Sequence, residues 1–314
     1  MLSRVANSLF WMGRYLERSE HVARYINVNY FSSLDAPNEL SQSRQFVFHS
    51  MYSMVGDYDK NAEEVQQEDV LYDICLNKDK PYSIFNNVSH MRNNASGVRD
   101  LISTELYESV NKFYHTITNF SKENLLQYEL YAFTSEVIDS AGILRERIRG
   151  SLINNEVYSI IMLGVHLERA YQISRIITCK YIDAQVAQGS YGDKVDNSYE
   201  WSTLLKCVQS YDMMRRYYRK VPSGLNTLEF LILNPDCPRS ITNSLNEIGK
   251  HIRKLNGLNK SMPDSAEFFI RKTKSQYEFM TIEDIENDIK GTIKNIGYSL
   301  NIIQSKLDKE YFYF

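Results

Sequence analysis

At 314 residues the chain can hold two domains or one large two-part bundle, and its net charge of −3, with both signs interspersed, excludes the basic footprint of a nucleic-acid or membrane-surface binder. Six prolines and 13 glycines are few for this length, and the polar residues sit among apolar ones at helical spacing, so the expected fold class is all-α. Cys75, Cys179, Cys207 and Cys237 are widely spaced with no CxxC pair, which argues for buried thiols and against a disulfide framework or zinc knuckle.

The N-terminal apolar residues are interrupted by Arg4, Asn7, Arg14 and Glu17, unlike a signal peptide, and no apolar run approaches the roughly 20 residues of a membrane span. A cytoplasmic protein is expected. Ser3 is the expected N-cap of a long first helix, in which Val5, Leu9, Met12, Leu16, Ala23 and Ile26 recur at steps of four and three, with Ser19 at the one polar step. Residues 31–38 should break it, because Pro37 removes a backbone donor and disfavours helix in the residue before it. A second helix is expected from Glu39, a turn at 77–81, and helical periodicity over 83–111 with a joint near Ser103, where Ser103, Thr104 and Glu105 resemble a helix start. Residues 123–148 supply a further long helix, and the chain turns at Gly150.

Past Tyr181, residues 187–193, with Gly189 and Gly192, read as a linker. One helix is expected over 199–219, its end carrying Arg215, Arg216, Arg219 and Lys220 as a solvated basic face. The apolar run 227–233 has no partner strand elsewhere and reads as a core helix; Pro235 and Pro238 follow it, and Ser240 can cap the next. Helices should then fill 241–255 and 282–309. The expected architecture is an elongated multi-helix bundle of two similar halves, 1–150 and 151–314, the second with a larger loop insert, or one continuous domain.

A repeat suggests the halves. Gly13, Leu16, Glu17, Arg18 and Arg24 return as Gly164, Leu167, Glu168, Arg169 and Arg175. Gly13, Glu17 and Arg24 fall on one helical stripe, and Gly164, Glu168 and Arg175 on the equivalent one. A glycine inside a helix costs about 0.5–1 kcal/mol relative to alanine, so two equivalent glycines imply that another helix or a ligand approaches the backbone. Arg18 and Arg169 point about 100° away from the adjacent glutamates, so each must reach a different helix or a shared cleft.

Two readings of the repeated charges stay open: inter-helix ion pairs that fix register, or a ligand or catalytic site. Arg14, Arg92, Arg99, Arg145, Arg147 and Arg149 lie nearby in sequence, and their convergence would make an anion site. Glu17, Glu20 and His21 superficially resemble a carboxylate-bridged metal set, but Tyr171 and Gln172 replace Glu20 and His21 in the second copy, so no metal is expected. His166 is a lone histidine near Glu168. With no phosphate loop, nucleophile elbow or dinucleotide fingerprint, no cofactor is expected.

The opening residues 1–20, the segment from Arg92 and Ala95 through Val98, Arg99, Ile102 and Glu105, the second Leu167-Glu168-Arg169, and 230–240 together resemble the bacterial alpha-E domain family, a helical domain named for its Glu-Arg motif. The likeness covers essentially the whole chain and departs from the family's Arg-Glu-Asn at Asn93. Members are typically encoded beside, or fused to, a circularly permuted ATP-grasp protein, often with a transglutaminase-like peptidase nearby. The resemblance implies an accessory or partner of an ATP-grasp amide ligase acting on a peptide-like substrate. It further implies a polar site of Glu17, Arg18, Arg92, Arg99, Glu105, Glu168, Arg169 and Arg239, to which the repeat adds Arg24 and Arg175. The alternative is an enzyme in its own right, with Glu17 or Glu168 as general base and arginines binding an anionic substrate. That alternative requires the glutamates to lie in an open pocket.

Overall fold

The structure is a computed structural model describing residues 1–36, 39–59, 64–188, 198–257 and 262–312. Among these residues every regular element is helical. The long α1 (Ser3–Ser32) is followed by α2 (Glu39–Gln42), α3 (Arg44–Val55), α4 (Gln67–Cys75), α5 (Ile84–Gly97), α6 (Thr104–Thr118), α7 (Lys122–Asn124) and α8 (Leu130–Ser151). The still longer α9 (Glu156–Gln188) leads into α10 (Ser198–Cys207), α11 (Tyr211–Tyr218), α12 (Gly224–Leu233), α13 (Ile241–Asn256), α14 (Ala266–Glu278), α15 (Ile282–Asn287) and α16 (Ile289–Leu307).

Several helix starts follow from local chemistry. The hydroxyls of Ser83, Ser103 and Ser240 accept the N–H groups of Asn86, Leu106 and Asn243, satisfying donors that the first turn leaves unpaired. The run 227–233 is helical, as its lack of a partner strand predicts. All four cysteines are buried and free.

Four expectations need correction. Ser3 does not cap α1: Leu2 holds that position, and its carbonyl, with no side-chain cap, opens the helix. The single helix over 199–219 is two, because Gln209 takes a positive φ of 56° between α10 and α11. The single helix over 282–309 is also two, since Asp288 leaves helical geometry and its carboxylate accepts the Gly291 N–H at 2.8 Å to start α16. Finally, α14 was not expected, although Ala266, Ile270, Thr273 and Tyr277 form its buried stripe at helical spacing. Pro37 and most of the linker reading, residues 189–193, lie outside the described residues.

The centre of the fold is the packing of α1 on α9. Ile160 to Leu163 and Val165 to Ala170 are all buried, so this part of α9 is enclosed on every side, as only a central helix can be. α1 also packs on α5 and α8, α5 on α6 and α6 on α8; α9 packs on α13 and α16, α13 on α14 and α14 on α16. The two repeated glycines meet where the central helices cross. A Cβ at Gly13 would stand 2.3 Å from the carbonyl oxygen of Ile161, and one at Gly164 would stand 2.1 Å from that of Phe10. The close neighbour implied by each glycine is therefore the backbone of the other copy.

Candidate functional site

One helical turn beyond the glycine crossing, the Glu-Arg motifs exchange partners. Arg169 donates from Nε and Nη2 to the two carboxylate oxygens of Glu17, at 2.6 and 3.1 Å. Arg18 does the same to Glu168, at 2.7 and 3.1 Å. Each arginine thus reaches the opposite helix, the result its 100° offset from the neighbouring glutamate requires, and each pairing has the planar two-bond geometry that favours arginine over lysine.

The surroundings of the two glutamates differ. Glu17, fully buried, also accepts from Nη1 of Arg239 at 2.9 Å and lies 3.6 Å from Arg145. Glu20 beside it, also buried, takes Arg24 at 3.0 Å, Arg239 at 3.1 Å and both Nη atoms of Arg145. Glu168 takes Nε of Arg14 at 2.5 Å and the Gln172 amide at 2.6 Å in addition to Arg18. Arg14 also donates to Gln304 and lies over the rings of Trp11 and Tyr171.

Burial alone would raise the carboxyl pKa values, but the guanidinium groups outweigh it. Arg169 and Arg239 bring Glu17 down to about 2, and Arg14 and Arg18 hold Glu168 well below the usual carboxylate range. Both are permanent anions with their oxygens occupied by internal donors. A general base needs a pKa near the working pH and a reachable lone pair, so neither glutamate fits that role.

His21 completes the first cluster. Its Nδ1 lies 3.0 Å from the carbonyl of Glu17, which can only accept, so Nδ1 carries the proton and the buried Nε2 is left without a partner. Burial lowers its pKa to about 4, against an opposing pull from Glu17. The unfolded chain therefore binds a proton near pH 6.5 that the folded chain refuses. Stability contributed by neutral His21 is complete above pH 6.5 and is lost as pH falls towards 4; the Glu17 contribution, complete above its unfolded pKa of 4.5, goes as pH falls towards 2. Urea midpoints across this range should decline in those two steps. His21→Gln, which installs the residue that the repeat carries at Gln172, should shrink the upper one, leaving the share that the similarly lowered His166 and His251 contribute; an unaltered profile would remove His21 from the account.

The ten sequence-predicted site residues separate. Glu17, Arg18, Glu168, Arg169 and Arg239 converge, with Arg24 at the edge through Glu20. Arg175 does not follow its counterpart Arg24: the position equivalent to Glu20 is Tyr171, so Arg175 is exposed with no ion-pair partner among the described residues. Arg92, Arg99 and Glu105 stand apart from the cluster. Arg92 donates to Asn111 and lies over Tyr114, Arg99 lies exposed over Tyr107, and Glu105 sits exposed in the first turn of α6. Sequence reasoning missed Gln304 and Gln209 as partners of Arg14 and Arg239, and a second buried network in which Lys180 meets Asp183 at 2.9 Å and Glu200 at 3.4 Å. Lys180 and Asp183, oppositely charged and three residues apart on one helix, were the available signal.

Two groups among the described residues have metal-ligand spacing. Glu17, Glu20 and His21 are one, but arginines occupy those carboxylates. His166 of α9 with Glu247 and His251 of α13 is the other, and only the i, i+4 spacing of Glu247 and His251 hints at it in sequence. Among the described residues no helix is long and apolar enough to cross a membrane.

Uncharacterized protein Rv2567 of Mycobacterium tuberculosis H37Rv is 21% identical to this chain over 274 residues, which cover 81% of this chain and 30% of that protein. Uncharacterized protein Mb2597 of Mycobacterium bovis shows the same identity and coverage. The chain thus spans less than a third of the length of these relatives. No solved structure matches it. Residues 1–312 match the Alpha-E family, described as a predicted alpha-helical domain with a conserved ER motif; Glu-Arg occurs in this chain at 17–18, 146–147 and 168–169. The chain belongs to the Alpha-E family.

Proposed function

We propose that this chain is a helical accessory partner of an ATP-grasp amide ligase acting on peptide-like substrates, and that its Glu-Arg motifs build the scaffold without reacting themselves. The observation that carries the scaffold part is the reciprocal burial of Glu17 and Glu168 in two-bond pairs with Arg169 and Arg18. Such groups lock the register of α1 against α9 and leave no open carboxylate for chemistry. The ligase association is what membership of the family implies. It accords with relatives in which the matching region is 30% of a longer protein.

The test is direct. The purified chain is mixed with the circularly permuted ATP-grasp protein encoded nearest to it, complex formation is followed by sedimentation, and amine-dependent ADP release is followed with and without the chain. A stoichiometric complex and faster or more selective amide formation are expected. A ligase that neither binds the chain nor changes its turnover would overturn the reading.

A further inference from the structure

A cavity of about 500 Å³ opens between α9 and α13, outside the Glu-Arg pairs but touching them at Arg169. Tyr158, Met162, His166 and Arg169 line it from α9 at steps of four, four and three, so one face of that helix forms a wall. α13 presents Glu247, Lys250, His251 and Lys254 opposite, and Arg149 from the end of α8 closes the rim. Four cationic side chains thus face one carboxylate.

Not all of that charge is free. Arg169 is committed to Glu17, and Lys250 pairs with Glu247. Arg149 has no hydrogen-bond or ion-pair partner among the described residues, and Lys254 donates only to the neutral oxygens of Asn154. Two uncompensated cations therefore border the space.

The imidazoles add donors. His166 is 3% exposed, its Nδ1 has no partner, and its ring stacks on that of His251 with centroids 6.0 Å apart. Burial, reinforced by Arg169, holds His166 well below its ordinary pKa, and burial lowers His251 as well. Two neutral imidazoles, each able to turn an N–H towards a ligand, thus stand beside two free cations.

Two ligand classes compete for such a site. Ligand atoms of His166, Glu247 and His251 lie within 4.8 Å of one another, a spacing that would suit a divalent metal. A metal would, however, meet the two uncompensated cations and would have to take Glu247 from Lys250. An oxyanion meets the opposite balance: Arg149 and Lys254 supply charge and the imidazoles supply N–H groups. A dianion matches two free cations where a single carboxylate would leave one unpaired.

We propose that this cavity binds the phosphoryl group of a phosphate-bearing small molecule, with Arg149 and Lys254 pairing its charge and His166 and His251 donating to its oxygens. A volume of about 500 Å³ also leaves room for an organic portion against Tyr158 and Met162. The site stands independently of the ligase reading, since its test uses this chain alone.

The experiment is a titration of the whole chain with inorganic phosphate and with pyrophosphate, following the imidazole signals of His166 and His251 by NMR and the affinity by calorimetry. Saturable shifts of both histidines are expected. Arg149→Ala with Lys254→Ala, whose side chains lie at the cavity's rim, should weaken binding by about tenfold or more while the dispersed spectrum of the folded chain persists. Unchanged affinity in that variant would place the anion elsewhere and overturn the proposal. It would also fall if succinate bound as tightly as phosphate, or if Zn²⁺ shifted both histidines while phosphate left them unmoved.

Discussion

Glu17→Ala is expected to lower the unfolding free energy by about 3–5 kcal/mol, the usual effect of removing one member of a buried ion pair, and to do more damage than Glu168→Ala. The reason is the burial of the cations left behind. Arg169 and Arg239 both pair with Glu17 and are about 5% and 8% exposed, so their charges cannot turn into water. Loss of Glu168 strands Arg14, but Arg14 retains Gln304 and its aromatic neighbours, and the Arg18 side chain is 24% exposed and can swing outward. Urea unfolding of the two variants measures the difference directly. In a double-mutant cycle, Glu17→Gln with Arg169→Gln should show a coupling of about 1–3 kcal/mol, since the two groups share two hydrogen bonds. Glu17→Ala at a loss under about 1 kcal/mol would mean that the cluster is not a register lock.

The central pair of helices was legible because its constraints are local and repeated. A glycine where alanine would serve better, followed four residues later by a glutamate and then an arginine facing elsewhere, encodes a close crossing and an exchanged ion pair without reference to the rest of the chain. Arg239 was reached only through the family resemblance, and its partner Gln209 was not reached, because their meeting depends on how α10 to α13 fold back over α1. The same holds for Gln304 against Arg14, 290 residues away. Helix breaks were missed where a side chain creates them: Asp288 is compatible with helical periodicity until its carboxylate caps the next turn, and Gln209 gives no warning of its positive φ. The repeat misled at Arg175, because the stripe was matched without its partner; Glu20 gives Arg24 its place, and Tyr171 cannot do so. The cavity beside His166 was hidden for a similar reason, since its two walls are separated by about 85 residues of sequence and neither wall is unusual alone.

Gly13→Ala should destabilise the chain by about 3 kcal/mol or more, although alanine is the better helix former by up to about 1 kcal/mol. The added carbon would lie 2.3 Å from the Ile161 carbonyl oxygen, which is backbone in the central helix and cannot rotate aside. The helices must therefore separate, and separation also lengthens the Glu17–Arg169 and Arg18–Glu168 bonds one turn further on. Gly142 and Gly297 provide the control, because both are inside helices with nothing within 4 Å of an added carbon. Alanine there should stabilise by about 0.5–1 kcal/mol, so the same substitution changes sign with its surroundings. Gly164→Ala should match Gly13→Ala, its carbon lying 2.1 Å from the Phe10 carbonyl oxygen. The double variant should cost less than the sum of the two, because the first alanine already opens the gap that the second requires. Additive losses would indicate two independent clashes. A neutral or stabilising Gly13→Ala would show that the glycines do not set the distance between α1 and α9, and the exchanged Glu-Arg pairs alone would then have to fix their register.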